Sequence, residues 1–271
     1  MFAHDHHKRD QPVLDVSHLS AGYNGRLALE DITFHLHPGE RIAVVGPNGA
    51  GKSTLFKVVA GVLPPASGRV TVYGSQPVGH VCIGYVPQRS QGDWGFPVNV
   101  ADVVMMGRVA RMGWFRWPTK RDWRLVDSAL ETVGLHDLRT RQIEQLSGGQ
   151  QQRMFIARAL AQEAELMLMD EPFAGLDAPS REGILALLDT LRLRSVTVMV
   201  ATHDLDEAAR YFDRVMLINH RLLGLGSAEQ VLQIDNLVQA YEGRLRRLGD
   251  DRLIAVADTC CGEGDEHGHF H

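Results

Sequence analysis

Residues 46–53 read Gly46, Pro47, Asn48, Gly49, Ala50, Gly51, Lys52 and Ser53, with Thr54 next. Glycine, four residues, then glycine, lysine and serine is a spacing suited to polyphosphate. The glycines let backbone amides turn inward around phosphate oxygens. A helix starting there adds positive potential, Lys52 can reach the terminal phosphates, and the Ser53 hydroxyl can ligate magnesium.

A second group lies at Asp170 and Glu171, which end the apolar run of residues 166–169. If that run is a buried strand, both carboxylates emerge in the crevice at the carboxyl edge of the sheet. There Asp170 can hold a magnesium shell, and Glu171 can orient and deprotonate water. Each pattern alone has a bland explanation, a glycine-rich turn or a solvated strand end. Together they point to nucleotide hydrolysis.

The elements that must position these groups are legible around them. Alternating and β-branched residues at 13–19 and 29–36, separated by Ala21, Gly22, Tyr23, Asn24 and Gly25, predict two strands around a turn. Residues 41–45 read as a buried strand running into the glycine turn, with a helix over 52–60. Strand patterns at 70–73 and 81–86 precede helical periods at 98–107 and 120–133, so a mostly helical lobe is expected over about 89–161. Strands return at 166–169, 196–201 and 214–218, alternating with helices at 180–194 and 205–211, which predicts an α/β core with a largely parallel sheet. Leu237, Val238, Tyr241, Leu245 and Leu248 predict a last amphipathic helix.

Composition narrows the function classes. Of the 271 residues 44% are hydrophobic and 23% charged, as in ordinary globular proteins. Apolar stretches such as 196–201 fall far short of the ~20 residues of a membrane span, and the N-terminus lacks a secretory or transit pattern, so residence in the cytoplasm is expected. From Cys82, Cys260 and Cys261 no disulfide framework can be read, in agreement with a reducing compartment. The net charge of −5 argues against nucleic acid as a main partner.

Leu146, Ser147, Gly148, Gly149 and Gln150, followed by Gln151, Gln152 and Arg153, resemble the signature sequence of ABC-type ATPases. Tyr23 resembles the family's adenine-stacking aromatic and Gln88 its Q-loop glutamine. Gly175, Leu176 and Asp177 match the D-loop, and His203 the switch histidine. Singly, Tyr23 could be a turn aromatic, Gln88 a surface residue and His203 a satisfied histidine after a core strand. The ordered match spans 13–228.

The resemblance implies a P-loop NTPase (RecA-like) core with an ABC-type antiparallel β subdomain and an inserted α-helical subdomain. The ATPase domain would occupy 12–235, with the insertion at about 89–161. A His-containing flexible tail at 1–11, a C-terminal helix and extension at 236–257 and a flexible tail at 258–271 would flank it. ATP would contact Tyr23, residues 46–53 and Thr54, with Mg²⁺ held through Ser53, Gln88 and Asp170. Glu171, His203 and Gln88 would serve catalysis. Leu146, Ser147, Gly148, Gly149 and Gln150 would meet ATP bound to a second copy, beside Asp177. Ser147 ahead of two glycines also suits a helix start offering a hydroxyl and free amides to an anion. The implied assembly is a homodimer beneath integral membrane permease subunits, at the cytoplasmic face of the inner membrane.

Residues 89–98 after Gln88, the Val-Val-Met-Met-Gly-Arg run at 103–108, the Gly-Trp-Phe-Arg-Trp-Pro run at 113–118 and the Asp-Glu-Pro-Phe-Ala-Gly-Leu-Asp run at 170–177 resemble ATPases of bacterial manganese, zinc and iron importers. That implies import of a divalent transition metal and, indirectly, a metal-binding extracytoplasmic protein. A siderophore or other solute, export, or a non-transport role in DNA repair or translation are the alternatives. Long coiled-coil insertions, tandem domains or basic segments would mark the last. Trp94, Phe96, Met105, Met106, Met112, Trp114, Phe115 and Trp117 supply apolar bulk either for the lobe's core or for docking a membrane subunit. The terminal His4, His6, His7, Cys260, Cys261, His267, His269 and His271 suit transition metals by type, although their spacing matches no closed zinc site.

Overall fold

The computed structural model describes residues 11–78, 82–88, 95–112 and 117–241, and the backbone of 245–247 and 253–255. Period-two burial over β1 (Leu14–Tyr23) and β2 (Arg26–Leu36) makes an antiparallel pair with one face inward. The turn is tighter than expected, Asn24 and Gly25 alone, and Tyr23 ends a strand. β3 (Arg41–Val45) is buried throughout. It feeds the glycine turn and α1 (Lys52–Val59), whose cap residue Gly51 has a left-handed φ of 97°. β4 (Ser67–Val72) then returns beside β1, completing a three-stranded sheet in the order β2-β1-β4.

β5 (Ile83–Val86) leads to the helices α2 (Val100–Met106), α3 (Val109–Met112), α4 (Lys120–Thr132) and α5 (Gly148–Ala161). α2, α4 and α5 start at reciprocal capping boxes, Asn99 with Asp102, Thr119 with Asp122 and Ser147 with Gln150. The chain continues through β6 (Leu166–Asp170), α6 (Ala178–Leu193), β7 (Thr197–Ala201), α7 (Leu205–Tyr211), β8 (Arg214–Asn219), β9 (Arg221–Gly226), α8 (Ala228–Val231) and α9 (Ile234–Ala240). A short antiparallel pair, β10 (Leu245–Arg247) and β11 (Leu253–Ala255), follows.

The second large sheet has six strands in the order β5-β6-β7-β3-β8-β9. The first five run parallel, and β9 is antiparallel to β8. Because side chains alternate along a strand, its buried strands feed two cores. Ala43, Val45, Met167, Met169, Val198 and Val200 pack with the helical lobe and α6. Ile42, Val44, Leu166, Leu168, Met199 and Ala201 pack with α1 and the three-stranded sheet. Phe56 on α1 is fully buried in the second core, where truncation to alanine costs about 3–5 kcal/mol.

Two expectations are corrected. The last helix ends at Ala240, and Leu245 belongs to β10, while Leu248 lies outside the described residues. The apolar spacing continues past Tyr241, but Gly243 follows, and glycine costs about 1 kcal/mol in a helix interior. β9 was not anticipated because Gly224 and Gly226 interrupt its apolar run and mimic a loop; Gly224 instead packs against Val231. Of the two terminal tails, residues 1–10 and 258–271 lie outside the described residues.

Candidate nucleotide site

The parallel register sets the site. β3, β6 and β7 end side by side, so the turns after Val45, Asp170 and Ala201 open at one sheet edge. Between β3 and α1, Lys52 folds back into the glycine turn. Its Nζ donates to the carbonyls of Gly46 at 2.7 Å and Pro47 at 2.9 Å. Lys52 is buried, which lowers its pKa, while the charges of Glu171 and Asp170 oppose that shift. Gly46 admits no side chain, since a Cβ there would overlap the carbonyl oxygen of Ile218 on β8. At Gly51 a Cβ would meet the Ala28 carbonyl oxygen and Leu29 of β2 at 2.6 Å, so the antiparallel sheet lies directly over the turn.

His220, between β8 and β9, fastens these parts. Its N–H donates to the Ala50 carbonyl at 3.0 Å, and its own carbonyl accepts from Glu30 N–H on β2 at 2.8 Å. Ser53 is half-buried and Thr54 buried on the first turn of α1, while Asn48 and Gly49 are exposed. Tyr23, 46% exposed at the end of β1, carries the Lys57 ammonium 5.9 Å from its ring centroid. An exposed aromatic ring beside α1 is available for stacking.

Asp170 is buried at the end of β6, with the Tyr85 hydroxyl 3.5 Å from its Oδ2. Burial, reinforced by Asp170, pushes the Tyr85 phenol above its ordinary range, so it remains a donor. Glu171 has a left-handed φ of 47°, and its N–H donates to the Ala201 carbonyl at 3.0 Å. Its Oε2 accepts from Gln88 Nε2 at 3.2 Å. A polar pocket of about 150 Å³ brings Glu171 and His203 together with Gly175, Arg181, Asp204 and Glu207. Sequence reading picked out Gln88, Asp170, Glu171 and His203, and the fold gathers them. It missed Tyr85, Arg181, Glu207 and His220, whose partners come from other elements. Only Tyr85, in the same short string as Gln88, carried a local signal.

The signature segment sits elsewhere. Leu146 is buried, and Ser147 caps α5, its Oγ accepting from Gln150 N–H at 3.3 Å while Gln150 Oε1 accepts from Ser147 N–H at 2.9 Å. Gly148 opens the helix, and Gly149 is buried against Ser180 of α6. Asp177 caps α6 by backbone alone and is exposed. Among the described residues no cluster of three or more His, Cys, Asp or Glu can hold a metal, and no helix is long and apolar enough to cross a membrane.

Residues 29–174, somewhat more than half of the chain, match the ABC transporter domain family. The chain belongs to the ABC transporter family. The manganese transport system ATP-binding protein MntB of Bacillus subtilis is 45% identical over 241 residues, covering 89% of this chain and 96% of MntB. The zinc transport system ATP-binding protein TroB of Treponema pallidum is 45% identical over 235 residues, covering 86% of this chain and 88% of TroB. The solved structure of cbiO1 from Clostridium perfringens, part of the ABC transporter complex cbiONQ, superposes with a TM-score of 0.72 at 30% identity over 85% of this chain and 94% of that one. As an ABC ATP-binding chain, the protein is an ATPase. Its α/β architecture is the ABC form of the P-loop NTPase fold.

The ABC helical lobe exposes Phe96, Met106, Val109, Trp117 and Trp123, with Trp117 at 90%. Met105 is buried and Met112 only partly so. The aromatic-rich segment therefore divides between core and surface, with Trp94, Trp114 and Phe115 outside the described residues.

Proposed function

We propose that this ABC ATPase powers import of a divalent transition metal, manganese, zinc or iron, as the nucleotide-hydrolysing subunit of a membrane transporter. The observation that carries the reading is the near full-length similarity, at 45% identity, to ATP-binding proteins of manganese and zinc transport systems. In this reading a homodimer lies at the cytoplasmic face of the membrane beneath permease subunits supplied by an extracytoplasmic metal-binding protein. The exposed Phe96, Met106, Val109, Trp117 and Trp123 supply an apolar surface for those subunits.

Mechanistically, Tyr23 stacks on adenine, and the amides of residues 46–53 with Thr54 cradle the phosphates, Lys52 exchanging its two carbonyl partners for phosphate oxygens. The donor set fits magnesium, since the Ser53 hydroxyl, the buried Asp170 carboxylate and the Gln88 amide oxygen are hard oxygen ligands. Gln88 spends its amide nitrogen on Glu171, which leaves Oε1 as its acceptor atom for a cation. Bound magnesium would neutralise charge on the β- and γ-phosphates. Glu171 orients and deprotonates the attacking water, His203 supports the γ-phosphate, and Gln88 ties the site to the helical lobe. Leu146, Ser147, Gly148, Gly149 and Gln150 of the second copy close over the nucleotide beside Asp177. Hydrolysis then reopens the dimer.

The test is metal content in cells lacking this chain and in cells restored with wild type or Glu171→Gln, each limited for manganese, zinc or iron. A selective deficit in one metal, corrected by wild type alone, is the expected result. Unchanged contents of all three would overturn metal import and direct attention to whichever membrane protein co-purifies.

A further inference from the structure

The first turn of α6 touches both halves of the nucleotide machinery. On one side Ser180 packs so closely on signature Gly149 that a Cβ there would lie 2.6 Å from Ser180 Cβ and closer still to its hydroxyl. On the other side Arg181 NH1 lies 2.9 Å from Glu207 Oε1 on α7. Glu207 is the buried member, with 8% of its side chain exposed against 41% for Arg181. Arg181 also lies 3.9 Å from Asp204 Oδ2.

Glu207 is held from its own side as well. Its N–H donates to Asp204 Oδ1 at 2.9 Å, and Asp204 N–H donates to Thr202 Oγ1 at 3.1 Å. The N–H of Thr202 is bonded to the Val44 carbonyl of β3 at 3.1 Å. His203 is the exposed residue between Thr202 and Asp204, in the turn this chain of bonds defines. Burial raises the Glu207 pKa and Arg181 is the charge that chiefly opposes the rise, so without Arg181 a buried carboxyl would stand beside the switch turn without its cation.

We propose that Arg181 and Glu207 are positioning residues for hydrolysis, their ion pair locking the turn that carries His203 to the α6 turn that abuts signature Gly149. Within one subunit, the surface read as facing the other copy's nucleotide and the switch of its own site are thereby one mechanical unit. The inference rests on the readings of His203 as the switch and Gly149 as part of the signature. It predicts that breaking the pair impairs turnover more than nucleotide binding, because neither residue belongs to the phosphate cradle.

The experiment compares full-length wild type with Arg181→Gln, Glu207→Gln and the swapped pair Arg181→Glu with Glu207→Arg, each confirmed folded by circular dichroism at the assay temperature. ATP affinity, kcat and KM are measured, with Glu171→Gln and His203→Ala as controls. Each single variant should lose about tenfold in kcat with KM and affinity little changed, as expected for residues that act on turnover and not on the phosphate cradle. The swap should recover part of the loss, which a merely structural role for either residue does not require. Unchanged kcat in both single variants, or equal losses in kcat and affinity without rescue, overturns the proposal. If the two control variants also keep full turnover, the underlying assignment of the site fails instead.

Discussion

Gln88 Nε2 donates to Glu171 Oε2 over 3.2 Å, so the loops leaving two neighbouring parallel strands, β5 and β6, are joined through side chains. One end of this bond is the proposed water-activating carboxylate, and the other leads directly into the helical lobe. The Gln88 amide thereby ties the proposed catalytic carboxylate to the end of β5, the strand that precedes the helical lobe in the chain.

Glu171→Gln should therefore leave the site assembled, since an amide oxygen can still accept from Gln88. What it removes is a base. Turnover should fall about 10²- to 10⁴-fold, the ordinary contribution of a general base, while ATP affinity stays near wild type. Phosphate release and equilibrium nucleotide binding on the same preparation check both halves, and wild-type turnover in this variant would refute the assignment.

Lys52→Ala should act in the opposite sense. The ammonium is held by the Gly46 and Pro47 carbonyls, so it is prepared to exchange them for phosphate oxygens. Hydrogen bonds to charged groups contribute about 1.5–3 kcal/mol, so ATP affinity should drop at least tenfold. Calorimetric titration reads it directly.

Gly46→Ala should damage the fold itself. Its φ is 153°, and a Cβ would overlap the Ile218 carbonyl oxygen, so the glycine turn and β8 must separate. A loss of roughly 2–4 kcal/mol is expected, in the range of severe packing errors. Urea unfolding should show a lower midpoint, with nucleotide binding lost in parallel.

Asp122→Asn tests the helical lobe. Arg108 and Asp122 are both buried, with Nε 3.1 Å from Oδ1, and Arg108 also bonds the Ala161 carbonyl and Glu163. Removing the carboxylate charge should cost about 3 kcal/mol near neutrality, as for a broken buried pair. Burial raises the Asp122 pKa, but hydrogen bonds from Thr119 and Arg108 outweigh it and leave the group below its ordinary value. A carboxylate with a lowered folded pKa contributes stability above the unfolded value of about 3.9, lost as pH falls through the folded value. The gap between wild type and Asp122→Asn should thus be constant from pH 5 to 8 by that argument and close below about pH 4. A gap that widens in acid would contradict it.

Much of the architecture was legible because local signals and tertiary packing agree here. The strand at Arg41–Val45 and the glycine turn after it are encoded in a few adjacent residues, as is the Ser147 cap of α5. Where local chemistry and the tertiary outcome diverged, reading failed: Gly224 and Gly226 resemble loop residues but lie in β9, and Leu245 continues a helical spacing but pairs in a strand.

Legible in the sequence alone were the glycine-rich turn of residues 46–53, the Asp170 and Glu171 carboxylates at the end of an apolar run, the resemblance of residues 146–150 to the ABC signature and an α/β order of elements. Chemical type and short spacing suffice for the glycine turn and the carboxylate pair because each depends on neighbours within a few positions, whereas residues 146–150 are recognised by family resemblance. The tertiary structure alone decided that Gln88 meets Glu171, Tyr85 meets Asp170, Ser180 meets Gly149 and Arg181 meets Glu207. Those contacts follow from parallel strand register and helix packing, which bring distant segments to one sheet edge, and no periodicity within a single segment records which partner will arrive there.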